Sequence, residues 1–119
     1  MDIKTYQSLT RVKTNYKGVE TLRMKQSRFA RLISLLIQYA DANGFEITIG
    51  DVWAKSGHCK GSLHYKRLAL DINLFKNGVY LTTTEAHKPL GEYWESIGGS
   101  WGGRFGDGNH YSLEHLGKR

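Results

Sequence analysis

The sequence predicts an α+β fold: a small, mainly antiparallel sheet with helices packed on one side. Three observations predict it. An apolar stripe of helical period runs through residues 21–43, short segments of alternating polarity follow at 45–49, 68–75 and 110–113, and Asn77-Gly78 sits between two such segments as a hairpin signal. The order helix, strand, hairpin, helix, strand places helices beside an antiparallel sheet.

Within residues 1–20, Ile3, Tyr6, Leu9 and Val12 recur every third position, which predicts a short helix ended by residues 15–18. In the long helix Phe29, Leu32, Ile33, Leu36, Ile37 and Ala40 make the stripe, and Gly44 is placed to stop it. Phe45, Ile47 and Ile49 alternate with Glu46 and Thr48 as a half-buried strand. Residues 51–61 form a loop. In the next strand Ala69, Asp71 and Asn73 share one face, while Leu70, Ile72 and Leu74 share the other. Residues 84–97 read as one helix, capped within Thr82–Thr84 and tolerating Pro89 in its first turn, with Leu90, Trp94 and Ile97 facing the sheet. The stretch GGSWGGRFGDG is expected to be an irregular turn. It matches neither G-x-G-x-x-G nor a phosphate-binding loop, so a nucleotide cradle is not expected.

A chain of 119 residues makes one domain, 1–119. A lone cysteine, Cys59, excludes an internal disulfide and a cysteine-based zinc site. No apolar run nears the ~20 residues of a membrane span. The opening MDIKTYQSLTRVK has no signal-peptide core, so synthesis in the cytoplasm, with delivery outward by another agent, is expected. Residues 1–31 hold eight Lys/Arg against Asp2 and Glu20, and the remainder carries nine of each sign. The net charge of +6 therefore lies on the N-terminal quarter, a patch that attracts polyanions over roughly 8 Å at physiological salt. Its alternative reading is a solvated helix face.

The chemistry gathers in two segments. SLHYKRLALDINLF, residues 62–75, offers His64 and Asp71, and WGGRFGDGNHYS, residues 101–112, offers Asp107 and His110. Two imidazoles and a carboxylate suffice for a catalytic Zn²⁺, which takes three protein ligands and keeps a position for water. A second carboxylate beside that water serves as general base. Asp71 lies on the polar face of its strand, and His64 enters the same strand from the loop before it, so the two can converge on one metal. These residues point to a small zinc hydrolase.

His-x6-Asp in a Ser-x-His context, followed by Asp-x-x-His after Trp-Gly-Gly, resembles the zinc D-alanyl-D-alanine carboxypeptidases and their short phage relatives, the L-alanyl-D-glutamate endopeptidase endolysins. The likeness covers residues 44–119. It implies that His64, Asp71 and His110 bind one Zn²⁺ on the open face of the sheet and that Asp107 is the catalytic base. It further implies peptidoglycan hydrolysis at an amide bond of the stem peptide, by a monomer released from the (host) cytoplasm to the wall, with no nucleic acid as partner. An anionic envelope polymer would suit the basic N-terminus. Many relatives carry an Arg after the first core strand, where this chain reads DVWAKSGHCKG.

Ser62, Arg67 and Arg104 are the candidates for substrate binding, the two arginines as grips for a carboxylate. Trp101 and Phe105 either wall the groove or pack in the core, His87 caps or decorates a helix, and His58 and His115 are spare imidazoles. Two other readings stand beside the peptidase: a small metal-dependent nuclease, prompted by the basic N-terminus but lacking a His-His…Asn…His array, and a non-catalytic wall-binding module, which would have no use for Asp107.

Overall fold

The computed structural model describes residues 18–53, 56–57 and 61–119. The short helix expected near the N-terminus falls outside these residues, as do His58 and Cys59. Helix α1 spans Leu22–Ala42. The Thr21 hydroxyl caps it by accepting from the Met24 amide at 3.2 Å. At the other end Gly44 adopts φ +81°. There the Phe45 amide reaches back to the Ala40 carbonyl (2.9 Å) and the Gly44 amide to that of Asp41 (3.1 Å), a Schellman closure. The helix buries Phe29, Leu32, Leu35, Leu36 and Ala40, while Ile37 is 37% exposed. It is therefore turned so that the Leu35 flank, not the expected Ile37 flank, meets the core.

The strands are β1 (Glu46–Ile49), β2 (Ala69–Lys76), β3 (Val79–Leu81), β4 (Ser100–Trp101) and β5 (His110–Ser112), all antiparallel, in the order β1-β2-β5-β4 with β3 also on β2. One edge of β2 belongs to β1. The other is shared in series, β5 pairing Ala69–Asp71 and β3 pairing Leu74–Lys76. Asn77 (φ 51°) and Gly78 (φ 76°) close the β2–β3 hairpin, both in the left-handed region that a type I′ turn requires. Leu70, Ile72 and Leu74 are buried on one face of β2, against the core that includes the α1 stripe.

The helix expected over 84–97 is divided. A 3₁₀ turn, Glu85–His87, precedes α2, Lys88–Ser96. Pro89 has no amide to continue a ladder back into the 3₁₀ turn, so the α-helix begins beside it. The Thr83 hydroxyl accepts from the Ala86 amide (3.1 Å). Leu90, Trp94 and Ile97 are buried; Trp94 meets Phe29 edge-on with centroids 5.8 Å apart and donates its indole N–H to the Ser112 carbonyl at 2.9 Å.

The glycine-rich stretch is more ordered than its composition suggests. It forms β4 and a 3₁₀ turn, Gly102–Phe105, ended by Gly106 at φ +80°. Trp101 is the reason. Its ring is buried, donates to the Gly108 carbonyl at 2.8 Å, and is approached so closely by Gly91 and Gly103 that a Cβ on either would lie 2.1 or 2.2 Å from it.

Candidate metal centre

The open face of β2 carries the site. The Asp71 amide donates to the Asp51 carbonyl (2.8 Å), and its own carbonyl accepts from the Gly50 amide (2.8 Å). Asp71 is thus hydrogen-bonded away from β5, which makes its cross-strand pair with His110 a non-hydrogen-bonded one, the kind that brings side chains closest. His64 arrives from the 3₁₀ turn Leu63–Lys66, whose first residue is capped by Ser62: the Ser62 hydroxyl accepts from the His64 amide at 3.3 Å. Arg67 ends that turn in the left-handed region and releases the chain into β2.

His64 Nε2 lies 3.3 Å from Asp71 Oδ1, and His110 Nδ1 lies 3.5 Å from the same oxygen. One donor atom from each of the three residues falls within 4.8 Å of the others. Two donors held about 2.1 Å from one ion at a tetrahedral angle stand roughly 3.4 Å apart. These two imidazole–carboxylate spacings suit a shared cation better than formed N–H···O bonds, which run nearer 2.9 Å. The donor set fits a metal ion. Both imidazoles are buried, with rings 5.3 Å apart at 69°, and the Asp71 side chain keeps 22% of its surface. Both imidazoles are thus shielded from solvent, and the cleft stays open at Asp71.

That cleft is also lined by Ser62, Phe105 and Asp107. Asp107 is exposed, and its backbone is set from both sides: its amide donates to the Gly102 carbonyl (2.9 Å), its carbonyl accepts from the His110 amide (3.1 Å). The Thr84 hydroxyl accepts from the neighbouring Gly108 amide (3.2 Å). Four groups singled out in the sequence, His64, Asp71, Asp107 and His110, therefore meet in one cleft. Phe105 is half exposed, with its ring 6.0 Å from that of His110, whereas Trp101 belongs to the core.

The two arginines go elsewhere. Arg67 stacks over the Trp53 ring at 4.5 Å. Arg104 forks onto Glu95 at 2.9 and 2.7 Å and lies over Trp101, and this pairing holds the Glu95 carboxyl below its usual range. Neither is among the residues lining the cleft. Ser62 is, although its hydroxyl is engaged as a cap.

Three features escaped the sequence reading. His87 is a buried side chain, its Nδ1 2.8 Å from the Tyr111 hydroxyl; burial lowers its pKa and raises that of the Tyr111 phenol. The signal was there, since 87, 90, 94 and 97 follow one helical stripe. Lys25, one of the eight Lys/Arg of residues 1–31, reaches the Glu114 carbonyl and lies 3.4 Å from His115 Nδ1. Lys118 and Arg119, which no sequence motif singled out, line the cleft.

A carboxylate flanked by two buried imidazoles, with a second carboxylate at the rim of the same cleft, is a centre suited to metal-assisted hydrolysis. Residues 55–113 match the family model described as D-alanyl-D-alanine carboxypeptidase, and the matched span contains all four of these groups. No curated protein matches the chain.

Proposed function

We propose that the protein is a zinc-dependent peptidoglycan peptidase of the endolysin type, hydrolysing an amide bond of the stem peptide, either L-alanyl-D-glutamate or D-alanyl-D-alanine. The observation that carries this reading is the convergence of three donor atoms within 4.8 Å, beside Asp107, inside the span matched by the carboxypeptidase family. His64, Asp71 and His110 would hold the ion. The chemistry a Zn²⁺ supplies there is Lewis acidity, which polarises a carbonyl and brings the pKa of water to about 7.

The protein's own groups do the rest. Asp107 accepts a proton from the attacking water on a carboxylate oxygen and returns it to the leaving amine nitrogen as the C–N bond breaks. Its exposure at the cleft rim leaves room for both partners. Phe105 gives that rim an apolar edge for the substrate. Among the described residues no helix is long and apolar enough to cross a membrane. Delivery to the wall by a separate lysis agent belongs to this proposal.

The test is digestion of purified peptidoglycan by the zinc-loaded protein, with the newly freed amino terminus identified on a defined muropeptide. Stripping the metal with a strong chelator should abolish hydrolysis and added zinc should restore it. Hydrolysis that persists in metal-free protein, or cleavage of DNA in a parallel incubation with no cleavage of peptidoglycan, would overturn the proposal.

A further inference from the structure

We infer that Lys118 and Arg119 form the cationic edge of the cleft and receive a carboxylate carried by the substrate residue on the leaving side of the scissile bond, an inference that rests on the peptidase reading above. Lys118 and Arg119 are the cationic residues among the described residues lining the cleft, whose other charged residues are Asp71 and Asp107; Arg119 also acts electrostatically on the Glu95 carboxylate, as the last of the causes that lower its pKa. The two arginines nearer in sequence are already engaged, Arg67 on Trp53 and Arg104 on Glu95.

The backbone shows how the pair is held there. The His115 amide donates to the Lys118 carbonyl (2.8 Å), and the Lys118 amide donates back to the His115 carbonyl (2.9 Å). Between them Leu116 (φ 49°) and Gly117 (φ 80°) are both left-handed. Leucine resists that conformation, and Leu116 is 94% exposed, so it gains nothing by burial in return. The turn is also anchored at its base, because Lys25 of α1 reaches the Glu114 carbonyl and lies beside His115. A strained, anchored turn whose tip, Leu116 and Gly117, buries nothing is explained by what it presents, and what it presents are two cations.

A carboxylate is the chemistry those cations suit. Lysine meets it as a point charge and arginine as a two-pronged donor. The stem peptide offers one in two places: the free terminus of D-alanyl-D-alanine, and the α-carboxylate of a D-glutamate next to an L-alanyl bond. Both put a negative charge one residue beyond the bond to be cut.

The experiment compares two substrate pairs: an acyl-D-alanyl-D-alanine peptide against its C-terminal amide, and an L-alanyl-D-glutamate peptide against its α-amide. The zinc-loaded wild type should favour the acid over the amide in whichever pair it cleaves, and that pair names the source of the carboxylate. In Lys118→Ala/Arg119→Ala the acid-over-amide ratio of kcat/KM should fall about tenfold or more, chiefly through KM, as expected when charge-assisted contacts are lost. Lys118→Arg should retain the preference. Zinc content and melting temperature should stay at wild-type values in every variant. An unchanged ratio in the double variant overturns the inference while leaving the peptidase reading intact. An equal loss on acid and amide, with a lowered melting temperature, also overturns it, since the turn would then serve only stability. A wild type that cleaves neither pair overturns the peptidase reading, and this inference falls with it.

Discussion

Gly91→Ala sets two effects of opposite sign against each other. In the interior of a helix, Gly to Ala gains about 1 kcal/mol from propensity alone. Gly91 lies within α2, but a Cβ there would meet Trp101 ring atoms at 2.1, 2.3 and 2.6 Å. Ordinary contact begins near 3.4 Å, so the indole must retreat by about 1.3 Å. It has little room to do so: Gly103 approaches the same ring as closely, and the indole N–H is bonded to the Gly108 carbonyl at 2.8 Å. Overpacking of this kind costs about 1–3 kcal/mol, and loss of the buried hydrogen bond roughly 1 kcal/mol more. Set against the propensity gain, the net is a destabilisation of about 1–3 kcal/mol, or a fall in melting temperature of roughly 4–12 °C for a domain of this size. Thermal unfolding followed by circular dichroism, with urea midpoints as a second measure, checks it. A variant as stable as wild type or more so would show that the Gly91–Trp101 approach does not constrain the fold, and the account of the ordered glycine stretch would be wrong.

Asp107→Asn should keep its zinc and lose about 10²–10⁴-fold in rate, the usual worth of a general base, whereas Asp71→Asn should lose metal and activity together; elemental analysis beside single-turnover rates decides, and the reverse pattern would exchange the two roles. The folded state holds the His87 pKa below its ordinary value of 6.5, so the unfolded chain binds the proton first. Stability should therefore fall as pH drops from about 6.5 toward the lower folded value, and His87→Gln should flatten that part of the melting-temperature profile; an unaltered slope would assign it to another group. Neutralising Lys13, Lys17, Arg23 and Arg31 together should slow hydrolysis of intact walls at low salt more than that of a soluble muropeptide, because a polyanion is attracted through the field of the patch. Equal slowing on both substrates would refute the steering role. Lys25 is left out of that set because it anchors the turn at residues 115–118.

What was legible in the sequence is what local pattern determines. The α1 stripe, the alternation of β1 and β2 and the Asn77-Gly78 hairpin are properties of neighbouring residues, and each falls within a residue or two of its place. The candidate site was legible because four residues of the right chemistry occur in a recognisable order. What escaped depends on contacts between distant segments. The pairing of Arg104 follows from its partner Glu95 on α2, and the engagement of Lys25 follows from a turn some 90 residues later. The order within residues 98–108 comes from the buried indole of Trp101, whose packing against Gly91 brings two segments together. The rotation of α1 toward Leu35 is a tertiary choice between two apolar flanks that the stripe alone leaves equivalent.

The pairing of Asp71 with His110 would make the candidate cation site a test of how the chain was assembled. Their alignment depends on the register Ala69↔Ser112, Leu70↔Tyr111, Asp71↔His110. A slip of one residue would turn Asp71 into the core and offer Leu70 or Ile72 in its place, since neighbouring strand residues face opposite ways. Strands as short as β5, three residues, have little of their own to forbid such a slip. An ion that required Asp71 and His110 on the same face would bind only the correctly aligned sheet and would draw the population toward it by mass action. The three donors would then proofread strand alignment during folding before they serve any substrate.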